Sequence, residues 1–449
     1  MADLEELLAI GDRIVGWAKD GEQVEAVVVH SRDTEIRAYD GDVEQLASAE
    51  MQGVGIRVVR DNRVGFAYAG SLDDDVLAET LIDARDNSGF GTADEFVGLA
   101  EPDGVALAGL DLYRQSLSDV PTDRKVELAL ALERAARGAD SRISVVESAD
   151  YADSVSASAV VTTTGIRAAS RETAAYVSAS VLASQDDETQ TGFGFSVGRH
   201  PDDLDLDVAA NDAAKRATRM LGATKPLSER LTVVLDPFVA AQFLGIIGAT
   251  LSGEAVLKGR SPFADRVGDE IGTSALTFVD DPTNADAFSA TQTDGEGLAT
   301  RRNALITGGV LQGFLHNTYT ARRLGTASTG SAVRGFKSTP SAGARALALA
   351  PGHRGQDELV AAVDNGILVQ SVSGLHSGVN PVSGDFSTGA EGLRITKGQV
   401  GAPVREFTIA STLQRMLLDI IAIGNDIEWL PMRAAGVTIV VGDVTVSGS

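Results

Sequence analysis

Gly53-Val54-Gly55-Ile56-Arg57-Val58-Val59-Arg60-Asp61-Asn62-Arg63-Val64-Gly65-Phe66-Ala67-Tyr68-Ala69 is the stretch whose reading decides the fold class. Residues 53–59 and 64–69 alternate around Asp61-Asn62. Asp and Asn tolerate the left-handed backbone of a tight turn, so the stretch reads as a β-hairpin, with Gly65 expected to mark a bulge. Immediately upstream, residues 36–39 and 43–49 flank Asp40-Gly41-Asp42, a second hairpin signal. Residues 24–30 form a Val-rich apolar run that reads as a buried strand. Helical patterns bracket these strands. Leu4, Leu7, Leu8, Ile14, Val15 and Ala18 share one face behind Asp3 as N-cap, and residues 72–84 repeat that period. Antiparallel hairpins bounded by helices specify an α+β fold.

Beyond the hairpins, residues 89–119 are weakly patterned and rich in Gly, Asp and Ser, and read as a connection. Pro121 opens a helix through residue 137. Residues 143–183 read as three long strands, with Thr164-Gly165 as one turn, and an Ala-rich helix is expected over 204–221. Thr224-Lys225-Pro226 interrupts the chain there. Residues 231–235 start a new buried strand, and Asp236-Pro237 caps a helix over 238–251. From 276 to 446 short strands and Gly-rich turns dominate, interrupted by a helix expected over 407–423 and closed by a strand over 437–446. The expected division is an N-terminal α+β domain (1–100), a central α+β domain (115–225) and a β-rich C-terminal domain (230–449).

Composition excludes several function classes. The 449 residues carry 38 Lys+Arg against 63 Asp+Glu, a net charge of −25. Nucleic acid and anionic membrane surfaces both select for Lys and Arg, so neither is an expected partner. With no cysteine, disulfides, thiol catalysis and Cys-ligated zinc are ruled out. The start, Met1-Ala2-Asp3-Leu4-Glu5-Glu6, lacks the basic-then-apolar order of a signal peptide. No run of about 18 apolar residues offers a membrane span. A cytoplasmic location is expected.

The richest chemistry lies in His376-Ser377-Gly378-Val379-Asn380-Pro381-Val382-Ser383-Gly384-Asp385-Phe386-Ser387. This polar, Gly- and Pro-broken run follows the strand 366–370, where a scaffold holds binding groups in place. His376, Ser377, Asn380, Ser383, Asp385 and Ser387 are its candidate cleft-lining residues. His376, Asp385 and a loop serine contain the residue types of a Ser-His-Asp triad, but there is no nucleophile elbow, and Ser and Asp commonly hydrogen-bond loop backbone. The five histidines, His30, His200, His316, His353 and His376, lie more than ten residues apart, without a helical His pair, so no metal site is assigned. Asp294-Gly295-Glu296 reads as a turn with paired carboxylates, Asp280-Asp281-Pro282 as a strand-ending turn, and His30 as a strand-end residue. Gly192-Phe193-Gly194-Phe195 and Gly53-Val54-Gly55 lack the setting and lysine of a P-loop.

The 376–387 loop resembles the signature loop of TldE/PmbA-type chains of the TldD/TldE metallopeptidase family. Other matches run in order: Gly55-Ile56-Arg57-Val58 before Gly65-Phe66-Ala67, Leu251-Ser252-Gly253, Gly259-Arg260-Ser261-Pro262-Phe263, Asp294-Gly295-Glu296-Gly297, Thr320-Ala321, Ser328-Thr329-Gly330 and residues 420–426. The resemblance implies a PmbA/TldD-type fold and a cytoplasmic heterodimer with a TldD-type catalytic subunit that cleaves peptides. In TldD-type chains a His-Glu-x-x-x-His helix and a distant Cys hold zinc. Here those helix positions fall on Leu244, Gly245 and Ala249. The resemblance therefore implies an E-type subunit that completes a substrate cleft, with no cofactor of its own and zinc in the partner. Two alternatives stay open: a serine-type peptide hydrolase using the 376–387 loop, and a non-catalytic peptide-binding scaffold. A homodimer is the alternative assembly.

Overall fold

The computed structural model describes residues 3–449. Helix α1 (Leu4–Gly16) leads into three antiparallel strands, β1 (Gln23–Tyr39), β2 (Asp42–Arg60) and β3 (Arg63–Ala69), followed by α2 (Asp74–Phe90). After the connection, with a 3-10 turn at Gln115–Asp119, come α3 (Thr122–Gly138), β4 (Ile143–Thr162), β5 (Arg167–Gln185), β6 (Glu188–Gly198) and α4 (Leu206–Thr218). The six strands form one antiparallel sheet in the order β3-β2-β1-β4-β5-β6.

Both expected hairpins form. Tyr39 pairs with Asp42 across Asp40-Gly41, and Arg60 with Arg63 across Asp61-Asn62. Asp61 and Asn62 take φ of 51° and 58°, the left-handed values such a turn needs. The bulge does not fall at Gly65, which stays in register opposite Val58; the register slips at Arg37/Ala38 instead. Gly65 is glycine because α2 crosses there: a Cβ would lie 1.9 Å from the Ala84 carbonyl oxygen. Residues 143–183 hold two long strands, not three; the third strand is β6, further along. His30 lies inside the long β1, not at a strand end.

Strand alternation decides what covers each face. On β1, Val24, Ala26 and Val28 pack with α1 and α2, and Ile36 and Ala38 with α3 and α4. Val27 and Val29 face the other way, onto Leu298 and Phe336 of the C-terminal region. The β1–β4 pairing, from Glu25↔Thr162 to Ala38↔Ala149, makes residues 1–100 and 115–225 share one sheet.

The remainder begins with β7 (Glu229–Leu235), α5 (Pro237–Thr250) and α6 (Gly253–Leu257). Short elements follow: β8 (Phe278–Asp280), β9 (Asn303–Thr307), β10 (Val310–Leu311), α7 (Thr318–Leu324), β11 (Ala332–Val333), β12 (Ser341–Ala342), β13 (Leu347–Leu349) and α8 (Gln356–Ala361). The chain ends with β14 (Asn365–Ser373), α9 (Leu375–Gly378), β15 (Asp385–Thr396), β16 (Gln399–Thr412), α10 (Leu413–Leu418), β17 (Ile420–Ile423), β18 (Glu428–Trp429), β19 (Ala435–Gly436) and β20 (Ile439–Ser447). The second large sheet runs β16-β15-β14-β7-β20-β17, and β16 also pairs with β20, closing the sheet on itself. Only residues 413–418 of the helix expected over 407–423 are helical; Phe407 and Ile409 are buried at the two-residue period of β16. The core of this half packs Phe243, Leu244, Ile247 and Leu251 against Val233, Leu235, Ile367 and Val369. The whole is an α+β fold. Among the described residues no helix is long and apolar enough to cross a membrane.

Candidate functional site

The loop 376–387 links β14 to β15 and ends beside α10. All six candidate residues, His376, Ser377, Asn380, Ser383, Asp385 and Ser387, are exposed. Asn380 shapes the loop: its Oδ1 accepts from the Val382 N–H at 2.9 Å and the Ser383 N–H at 3.4 Å. Its own N–H donates to the Asp385 carbonyl at 2.9 Å, and its carbonyl accepts from Gly384 at 2.8 Å. Ser383 Oγ donates to Asp385 Oδ2 at 2.6 Å, and the Asp385 N–H returns to Ser383 Oγ at 3.3 Å. Gln414 Nε2 fastens the loop to α10 through the Ser383 carbonyl, at 3.1 Å. Ser377 Oγ donates to the Gly374 carbonyl, and Ser387 belongs to β15, opposite Ala410.

The structure thus brings Asn380, Ser383 and Asp385 together and leaves His376 apart, on the turn of α9. The Asp385 carboxylate is bonded to a serine and not to an imidazole, so no base–orienter pair is assembled there. The loop backbone is shaped by the Asn380 amide rather than by the Asp385 carboxylate. What the loop offers is a set of exposed hydroxyl, amide and carboxylate groups held by its own turn.

Beneath it lies α5. Phe386, the first core residue of β15, meets Phe243 edge-on with ring centroids 6.0 Å apart. The sequence explains the helix. Asp236 caps it through Oδ1 to the Val239 N–H at 2.9 Å, Pro237 opens it, and an almost wholly apolar run follows. Leu244 points into the core at 1% exposure, whereas Ala249 is exposed and Gly245 partly so. Gln242, Gly245 and Ala249, spaced i, i+3 and i+7, share one face of the helix, half-buried at Gln242 and open at Ala249. A Cβ added at Gly245 would meet nothing within 4 Å, and Gln242 Oε1 is buried without a hydrogen bond among the described residues. Zinc requires nitrogen, sulfur or carboxylate ligands. Leu244, Gly245 and Ala249 supply none, and no group of three metal-ligating side chains occurs among the described residues. This helix does not fit a zinc ion.

Sequence reasoning missed a polar seam at the start of α5. Arg216 of α4 pairs with Asp236 at 2.8 Å and donates to the Gln370 carbonyl at 3.0 Å. Its guanidinium also lies over the rings of Phe193 and Phe238, at 5.0 and 5.6 Å. Arg219 donates to Gln370 Oε1. Burial pushes Arg219 down to about 10, and burial holds Asp236 above the usual carboxylate range against the pull of Arg216. No local signal marks Arg216 and Arg219, because their partners lie far along the chain.

The other motifs resolve structurally. Asp294 Oδ1 accepts from Glu296 and Leu298 N–H groups at 2.9 and 3.0 Å, and Oδ2 from Ala332 at 3.0 Å, so it builds a turn. Burial and the neighbouring Glu296 push it up to about 7. Glu296 accepts from the Thr318 N–H at the start of α7. Asp280 ends β8 and accepts from the Arg345 and Ala346 N–H groups. His30 is bonded to Glu50 at 2.7 Å. Gly192 and Gly194 let α4 pack on β6; a Cβ at either would lie 2.2 or 2.1 Å from a helix carbonyl oxygen.

The chain matches, in order, the sequence patterns of the PmbA/TldA metallopeptidase domain 1 (residues 24–88), central domain (115–221) and C-terminal domain (228–448). It is 27% identical to the metalloprotease PmbA of Escherichia coli O157:H7, over 95% of this chain and 92% of that one. It is 27% identical to a metalloprotease TldD homolog of Haemophilus influenzae, over 84% and 80%. The crystal structure of TldE from Thermococcus kodakarensis shares the fold with a TM-score of 0.89, at 24% identity and full coverage of both chains.

Proposed function

The chain belongs to the PmbA/TldA metallopeptidase family, and on that premise we propose that it is the zinc-free subunit of a peptide-degrading or peptide-processing TldD/TldE-type metallopeptidase. One observation carries this reading: α5 has Leu244, Gly245 and Ala249 at the positions where the resemblance expects ligands. A TldD-type partner holds the zinc, which polarises the scissile carbonyl and activates water in that subunit. The residues of this chain shape the cleft. The face of α5 that carries Gly245 and Ala249 turns to the partner, and these small residues admit close approach. The exposed groups of Asn380, Ser383, Asp385 and Ser387, with His376 and Ser377, line the shared cleft and hydrogen-bond an extended peptide, with little dependence on its sequence. A cytoplasmic location belongs to the same reading.

Native mass spectrometry with metal analysis, on protein isolated gently from its own cells, tests it. The expected result is a one-to-one complex with a chain of similar size, carrying one zinc per pair. A metal-free homodimer would overturn it. Reconstitution adds a functional criterion. Peptide cleavage by the pair should stop with a chelator and should exceed that of the partner alone; equal rates would remove any role for this chain in the cleft.

A further inference from the structure

A cavity of about 530 Å³ opens between α6, β9, the residues 312–316 and α7, away from the 376–387 loop. Its wall mixes apolar and polar side chains, with Val256, Ala264, Leu305 and Phe314 making the apolar part. Beside them stand the polar side chains of Asn303, Gln312, Thr326 and Thr329, the buried imidazole of His316 and the guanidinium of Arg302, which is the charged group of the wall. A concave, partly apolar space with a few polar groups is a common form of small-molecule site.

The hydrogen-bond network around His316 favours one tautomer. Asn317 Oδ1 accepts from the Thr320 N–H at 2.9 Å, which identifies that atom as oxygen. The Thr320 hydroxyl lies 2.9 Å from the same oxygen and donates to it. Thr320 Oγ1 also accepts from the Asn317 N–H at 3.2 Å and lies 3.3 Å from His316 Nδ1; with its hydrogen on Asn317 Oδ1, the matching tautomer, assigned from this network, has the ring hydrogen on Nδ1. Nε2, which makes no hydrogen bond among the described residues, is left an acceptor. Gly253 holds the ring in place: a Cβ there would lie 2.3 Å from Nδ1. Burial lowers the pKa of His316, which keeps the ring neutral. Arg302 makes a loose ion pair with Asp281, at 3.8 Å, and its half-exposed guanidinium keeps donors that a ligand carboxylate can share.

We propose that this cavity binds the C-terminal residue of a peptide ending in an apolar side chain, in chemical terms an N-acylated apolar amino acid with a free carboxylate. The side chain fills the apolar wall, the amide N–H donates to His316 Nε2, and the carboxylate pairs with Arg302. A free amino acid fits less well, because its ammonium would bring a cation toward Arg302. The site stands independently of the subunit reading, and needs neither a partner nor catalysis.

Isothermal titration of the isolated full chain with N-acetyl-leucine, N-acetyl-leucinamide and leucine tests this. N-acetyl-leucine should bind best, and the amide and free leucine about tenfold more weakly or worse, the size of one charge-assisted contact. Ala264→Trp should fill the cavity and abolish binding. Arg302→Gln, at a half-exposed position, should bring the acid-to-amide ratio close to one. Failure of all three compounds to bind at millimolar concentration would overturn the proposal. So would equal affinity for acid and amide in the unaltered protein, or undiminished binding in folded Ala264→Trp. If Ala264→Trp does not fold, the ratio in Arg302→Gln decides.

Discussion

Asp236 does two things with one carboxylate, capping α5 through Oδ1 and neutralising Arg216 through Oδ2. The cap alone is worth about 1 kcal/mol. Removing one partner of a buried pair costs about 3–5 kcal/mol, because the other charge stays buried. Asp236→Ala should therefore lose most of that larger figure in urea denaturation. Asp236→Asn keeps a capping oxygen and should fall between. The cap was legible, as Asp-Pro before an apolar run is a helix start. Arg216 was not, since its partners are set by tertiary structure. Asp294 makes a pH-dependent claim. Its folded pKa, about 7, is raised above the ordinary 3.8. The folded state then holds a proton that the unfolded chain has released between those values. The contribution to stability is complete below about pH 4 and is lost as pH rises through 7. Thermal midpoints from pH 5 to 8 should fall with pH in the native protein, and Asp294→Asn should flatten that slope. An unchanged slope in the variant would assign the titration to another group.

Among the elements, glycines separate what pattern reveals from what packing imposes. Gly65 looks like a bulge because glycine in an alternating strand often marks one, yet its neighbour is the backbone of α2. Gly65→Ala should cost about 1–3 kcal/mol or more, as overpacking does when backbone must move. Gly245 is the opposite case, an open glycine within a helix. Gly245→Ala should stabilise the isolated chain by about 0.4–1 kcal/mol. Paired chemical-denaturation curves check both signs. The hairpins were legible because Asp40-Gly41 and Asp61-Asn62 carry turn chemistry in the residues themselves. The region 407–423 misleads for a physical reason. Phe407 and Ile409 follow a strand period and Leu413, Met416 and Leu417 a helical one, and their sum imitates a single long amphipathic helix.

At the scale of the molecule, the first sheet meets the C-terminal half at a buried ion network with an aromatic plug. Arg57 holds Glu25 in a fork, Nε to Oε1 at 3.0 Å and Nη2 to Oε2 at 2.7 Å. Arg334, from the far half, reaches the same Glu25, and Glu296 stands 3.6 Å from Arg57. Phe336 packs beside them on Val27 and Val160. None of this is legible locally, because Glu25 and Arg334 lie 309 positions apart in the chain. Arg334→Met removes a cation while keeping apolar bulk, and leaves Glu25 with Arg57 alone. Its cost should be about 3–5 kcal/mol, as for other broken buried pairs. The more telling readout is cooperativity. If this network is the coupling, calorimetric unfolding should separate into two transitions in Arg334→Met, one for each sheet and its helices. Limited proteolysis should then cut first between residues 198 and 229. A single transition, merely shifted to lower temperature, would move the coupling to other contacts between the halves, such as those of Arg216 and Arg219 with Gln370 or of Tyr319 with Asp94.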